Sequence, residues 1–402
     1  MVAKAPTIPT PVFSPQTFAD PYPVYRVLRE HAPVHWEPAL RVWLVTRYAD
    51  VVPLLRDARL TSMLEGDPTL PNPLAAEVQT LVDGLGKQLL FSDPPAHTRR
   101  RIVLNKAFTP RVLESARGRV ERVAAGLLDH VIDHGQMDLI RDFAYPLPAI
   151  AIAELLGLPA EDLDQFKKWS TDRMAFFGKP SDPELAGRAY QSHFQLTDYL
   201  RRMADERRRA PQHDLLSNLV QMEEGKKLDD DEIFANCVAL MSAGHETTTA
   251  LLGNAVLTLL RRPDRLRQLR DNLDLLATAV EELMRFDSPV HLVRRRARED
   301  IEFEGRTIKA GDGLFLMIGS ANRDPAQFPD ADEVILDRKD NRHLSFGFGG
   351  HFCIGATLAR MEAQIALKEL LVRLPDMRLR PEPIEWHMNP LLHGVKALPL
   401  AW

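Results

Sequence analysis

The sequence predicts a mainly α protein with small β-sheets, built as one large domain around a long central helix. Three observations carry this expectation. Helical periodicity dominates from Pro94 to about Leu275, and short strand-like patches flank it on both sides. Nothing in the 402 residues resembles a linker, an internal repeat or a low-complexity segment. A length that alone would allow two or three domains is therefore read as a single unit over 1–402.

The elements follow in chain order. The first twenty residues are proline-rich and should run extended over the surface. Pro21 to Ala32 reads as a short helix, and Val34–Glu37 with Val42–Thr46 alternates as a small hairpin. Thr61 to Asp93 carries glycines and prolines (EGDPTLPNP) without a sustained period, so a long, partly ordered loop is expected. Helices punctuated by prolines come next. Among them, Asp229 to Arg262 reads as one helix: the aspartates at 229, 230 and 231 suit its start, and Arg261 and Arg262 its end before Pro263. At ~1.5 Å per residue it spans roughly 50 Å, enough to cross a domain. IEFEGRTIKAGDGLFLMIG, from Ile301, reads as two strands around Gly305 with a further turn at Gly311–Gly313. After Gly355, ATLARMEAQIALKELLVRL is a long amphipathic helix. The tail from Ile384 to Leu400 is again strand-like.

Composition narrows the class. Apolar residues make up 45% and charged residues 27%, as in ordinary globular proteins. With 51 basic and 56 acidic side chains the net charge is −5, which argues against a nucleic-acid partner. Cys237 and Cys353 are the only cysteines, so no disulfide framework exists and a reducing cytoplasm is expected. No run of ~20 apolar residues could span a bilayer, so no membrane association is expected.

Two segments carry the chemistry. In Phe346-Gly-Phe-Gly-Gly-His-Phe-Cys353-Ile-Gly355 a cysteine stands at a helix start among four glycines. Amide donors and the helix dipole there favour a thiolate, and the glycines let the backbone approach a flat ligand. Zinc is a poor alternative, because only His351 stands near Cys353 and three or four ligands are needed. The second segment interrupts the apolar middle of the long helix with Ala243-Gly244-His245-Glu246-Thr247-Thr248-Thr249. Such residues form either a satisfied buried polar network or a functional site. Cys237, two turns earlier, is read as a small buried apolar residue.

With these residues the chain resembles the cytochrome P-450 family. Its cysteine motif is matched at Phe346, Gly347, Gly349, His351, Cys353 and Gly355, followed by Leu358-Ala359-Arg360. Its oxygen-activation motif is matched at Ala243, Gly244, Glu246 and Thr247, and its Glu-x-x-Arg motif at Glu282 and Arg285. The resemblance implies Cys353 as axial ligand of haem b, with Thr247 holding dioxygen and Glu246 relaying protons. It implies Arg338, in VILDR, as third partner of the Glu282–Arg285 pair, and His97, Arg101, Arg295 and His351 as partners of the haem propionates. Arg99 and Arg100 are read alternatively as a basic surface facing an acidic electron donor.

Pocket lining is expected from Leu90, Ala239, Ala243, Val290, Val293 and Leu392, most of them apolar, which fits a lipophilic substrate. His291 faces either that pocket or solvent, and Met174, Phe176 and Phe177 form either a lid or core. The implied reaction inserts one atom of O2 into a C–H bond or alkene. Electrons would come from NAD(P)H through a separate ferredoxin or flavodoxin system, and the enzyme is expected as a monomer. A peroxide-driven peroxygenase and a haem-thiolate gas sensor are the alternatives, and the Glu246–Thr247 pair argues against both.

Overall fold

The computed structural model describes residues 11–67, 70, 76–106, 108, 110–179, 182–222 and 228–402. Half of the expected extended N-terminal segment, residues 1–10, lies outside them. The other half is not all extended. Ser14 and Thr17 form a capping box in which each side chain accepts from the other's amide, and this starts a helical turn at Pro15–Ala19.

The helix Tyr22–His31 packs its apolar face, including Val24, Tyr25 and Leu28, onto one small core. The hairpin Val34–Glu37 and Val42–Val45 continues into a five-stranded sheet. Val42–Val45 pairs in parallel with Gly313–Leu316, which pairs antiparallel with Val293–Ala297, and Leu60–Thr61 closes the far edge. Residues from both ends of the sequence thus share one sheet. Ile301–Phe303 and Arg306–Ile308 form the separate hairpin, turning at Glu304 and Gly305, both at positive φ. The tail is less regular than expected. Pro390 and Gly394 interrupt it, leaving isolated bridges at Val290–Leu392 and Trp386–Val395. Only Pro399–Ala401 forms a strand, held between Gln136–Asp138 and Arg378–Leu379.

The expected loop from Thr61 to Asp93 contains a helix, Ala76–Gly86. Val78, Leu81, Val82 and Leu85 recur at i, i+3, i+4 and i+7 and pack on Phe176, Ala186 and Ala189. The surrounding prolines and glycines mask this short period. Phe176 is therefore a core residue here and not part of a lid, while the side chains of Met174 and Phe177 lie outside the description.

The central helix runs from Asp230 to Leu260 and is buried along most of its length. Asp229 accepts from the Glu232 amide at 2.8 Å, and Glu232 accepts from the Asp229 amide at 3.3 Å. Helices Leu276–Phe286 and Ala356–Arg373 pack against it and share its core. Between them lies the pair Glu282–Arg285, both 0% exposed. Arg285 Nε and Nη2 each donate to Glu282 at 2.8 Å, and its remaining donors reach the carbonyls of Asn322, Ala331 and Glu333. Arg338 Nε donates to Glu282 Oε2 at 2.9 Å, and the Ile335 amide and Asn341 complete the carboxylate's shell. A buried ion pair persists only with its hydrogen bonds filled, and this one has them. Among the described residues, no helix is long and apolar enough to cross a membrane.

Candidate active site

The cysteine loop is shaped by glycine where the chain must reverse. Gly347 and Gly349 take φ of 70° and 77°, and a Cβ on Gly349 would meet Arg56 Cγ at 3.0 Å. A short turn at Gly349–His351 follows, and the Cys353 amide donates to Phe346 O at 2.9 Å. Gly355 then caps the helix Ala356–Arg373. Cys353 and Phe352 keep exposed surface although protein packs closely around the loop. Burial holds the Cys353 thiol above the ordinary cysteine value. The Gly355 amide, Arg101 and Arg360 pull the other way without overcoming it. The Gly355 amide at the helix start thus acts in the direction the sequence predicts, and a bound iron would add to it.

Across the core, the central helix shows one accessible stripe. Ala239, Leu240, Ala243, Gly244, Glu246 and Thr247 retain surface while their neighbours at 241, 242, 245 and 248 are buried. Those positions recur at i, i+1, i+4, i+5, i+7 and i+8, which is a single helical face. Thr247 Oγ1 donates to Ala243 O at 2.8 Å. Gly244 allows the helix Pro146–Leu156 to approach, since a Cβ would lie 3.1 Å from Ile152. His245 Nε2 lies 3.4 Å from Glu246 Oε1. Burial raises the Glu246 carboxyl, but His245, with His387 and Lys167, brings it below the ordinary value. Glu246 is therefore ionised at neutral pH.

A basic cluster borders the cysteine loop. The rings of His97 and His351 lie 4.2 Å apart, Arg101 Nη1 donates to Phe352 O at 2.6 Å, and Ser62 Oγ is 3.3 Å from His351 Nε2. Burial lowers all four basic groups: His351 falls to about 3 and Arg295 to about 10. For His97 and His351 the neighbouring cations add to the shift. His97 Nε2 is buried without a partner.

The profile of the cytochrome P450 family matches residues 175–375. The polyketide biosynthesis cytochrome P450 PksS of Bacillus subtilis (strain 168) is 40% identical over 95% of this chain and 96% of its own. The chain belongs to the cytochrome P450 family. Cytochrome P450 monooxygenase PikC of Streptomyces venezuelae is 39% identical over 96% of this chain and 91% of its own. The crystal structure of P450BioI with an acyl carrier protein bearing hexadec-9Z-enoic acid superposes with a TM-score of 0.90. It is 35% identical and covers 96% of this chain and 99% of that one. Membership makes this an oxidoreductase of the monooxygenase type that uses haem.

The residues present fit that cofactor. Two histidines and two arginines crowd together at a cost that a dianion relieves, and His97 offers an orphaned nitrogen. An accessible sulfur adjoins that cluster, since Arg101 bonds the carbonyl of its neighbour Phe352. Other expectations change. Arg100 is buried and so gives no basic surface, while Arg99 stays half exposed; both bind Glu232, Arg99 at 2.8 and 2.5 Å and Arg100 at 3.0 Å.

Of the expected lining residues, Leu90 is exposed, and Ala239, Val290 and Val293 are half-buried, with Val293 packed on the sheet core. Leu392 is buried, and its bridge to Val290 leaves it little surface to offer. His291 faces neither solvent nor that lining, because its ring packs on Tyr22, Tyr25 and His393. Sequence reading missed Glu362, whose two carboxyl oxygens are buried without partners. The signal was its period: 358, 362, 365 and 366 form the buried stripe of its helix.

Proposed function

We propose that this cytochrome P450 inserts one oxygen atom from O2 into a lipophilic small molecule, by hydroxylation or epoxidation. It uses haem b, and electrons pass from NAD(P)H through a separate ferredoxin or flavodoxin in the cytoplasm to a monomeric enzyme. One observation supports this reading: an accessible thiol at a helix start lies beside the basic cluster, while an acid–alcohol pair keeps surface on an otherwise buried helix.

The residues take distinct roles. Cys353 ligates the iron through sulfur, and His97, Arg101, Arg295 and His351 hold the propionates. When bound, haem supplies dioxygen activation and oxygen transfer. Phe346, Gly347, Gly349 and Gly355 keep the loop close enough for a flat macrocycle. Ala243 and Gly244 leave room on the opposite side. The ionised Glu246 takes a proton from the solvent side, fixed there by His245. Thr247 can exchange its bond to Ala243 O for one to a water or substrate oxygen and pass that proton on. Ala239 and Leu90 give the substrate apolar contact. The name of PksS refers to polyketide biosynthesis, and P450BioI was crystallised with a fatty acyl chain, so acyl chains come first among substrates to test.

The reduced protein under carbon monoxide should show the red-shifted Soret band of thiolate ligation. If Cys353→Ala kept that band, the central assignment would fail. Ferric protein titrated with fatty acids, steroids, terpenes and macrolides should shift from low to high spin with one class. Turnover should need NAD(P)H and redox partners, and efficient turnover with peroxide alone would overturn the electron route.

A further inference from the structure

A second cluster of ligating side chains lies apart from the cysteine loop. Asp287 follows the helix Leu276–Phe286, His291 precedes the strand Val293–Ala297, and His393 comes from the tail. All three are buried, and one ligating atom of each lies within 4.8 Å of the others. His393 Nε2 is 3.2 Å from Asp287 Oδ1, and the two histidine rings are 4.3 Å apart. The backbone fixes this juxtaposition. The His291 amide donates to Leu391 O and the His393 amide to Pro289 O, each at 2.9 Å, around the Val290–Leu392 bridge.

The surroundings orient the three side chains as a metal site requires. Tyr25 Oη lies 3.1 Å from His291 Nδ1, which leaves Nε2 as the free nitrogen of that ring. Tyr22 Oη donates to Asp287 Oδ1 at 2.6 Å. Such outer partners set the tautomer and direction of metal-binding histidines and carboxylates. His291 is 3% exposed and its Nε2 has no hydrogen-bond partner. A network built only for packing has no reason to strand that nitrogen. A small pocket lined by Val12, Phe13, Thr17, Tyr25, His291 and His393 adjoins the cluster.

We propose that Asp287, His291 and His393 form a binding site for a divalent transition-metal ion, of which zinc fits best. Two imidazoles and a carboxylate are a known zinc set, and water from the pocket supplies the fourth position. Arg323, 4.1 Å from the Tyr22 ring, is itself held by Phe286 O and Asp332. The site ties the N-terminal helix and the tail to the loop after Asp287, outside the catalytic machinery.

The test uses haem-loaded protein, so that Cys353 is engaged. Zinc chloride is titrated calorimetrically, and metal content is measured after dialysis. One zinc per chain is expected, with a higher thermal midpoint. His393→Gln and Asp287→Asn should each abolish that equivalent, and Tyr25→Phe should weaken binding about 10-fold by releasing His291. Circular dichroism and the carbon monoxide spectrum confirm that each variant is folded. Wild-type protein that takes up no zinc would overturn the proposal. So would folded variants that bind zinc as tightly as wild type, which would place the ion elsewhere.

Discussion

Replacing Glu362 with glutamine should flatten the dependence of stability on pH between about 5 and 8. Glu362 lies in the core between its own helix and the central helix, 1% exposed, with both oxygens unpartnered. Burial pushes its carboxyl from 4.5 up to about 8, opposed by nearby Thr248. The native state thus keeps a proton that the unfolded chain gives up above pH 4.5, so stability is highest at low pH and is lost as pH rises through about 8. The complete linkage is worth about 5 kcal/mol, of which roughly 3 kcal/mol falls between pH 5 and pH 8. For a chain of 402 residues, 3 kcal/mol corresponds to about 4 °C in thermal midpoint. Glutamine keeps the shape and removes the titration. Thermal scans by circular dichroism at pH 5, 6, 7 and 8 should show wild type losing about 4 °C more than Glu362→Gln over that range. Parallel curves for the two proteins would refute the buried, neutral acid.

Two further outcomes follow from the same geometry. Glu246→Gln removes an ionised carboxylate that His245 holds in place, so kcat should fall ~10²-fold or more while substrate-induced spin shifts stay intact; stopped-flow turnover against optical titration separates the two. Arg285→Ala leaves Glu282 buried with Arg338 as its remaining cation, which should cost about 3–5 kcal/mol in urea unfolding and deplete haem-loaded protein on expression.

Much of the fold was legible because its signals are local. The capping aspartates and terminal arginines of the central helix, the hairpin at Val34–Val45 and the spacing of Glu282 and Arg285 are written within a few residues each. The helix at Ala76–Gly86 was not, since its four apolar positions are enclosed by turn-forming residues and gain their meaning only against Phe176, Ala186 and Ala189. Candidate chemistry was legible on the same terms: a glycine-rich cysteine loop and an acid–alcohol pair breaking an apolar helix are conspicuous in one dimension.

What a side chain does once folded depends on partners far along the chain. Glu232 binds Arg99 and Arg100 from 133 and 132 residues away, burying Arg100 and leaving Arg99 half exposed. His291 was ambiguous until His393, Tyr22 and Tyr25 surrounded it. At Cys353 the Gly355 amide acts as the helix start suggests, while burial and the distant Arg101 add effects that the local sequence does not show. By itself the sequence determined the mainly α fold, the family and the motifs, because periodicity, capping and motif spacing are properties of neighbouring residues. Tertiary structure alone decided which charges are paired, which acids stay protonated and which histidines meet, because desolvation and Coulomb energy depend on distance through space.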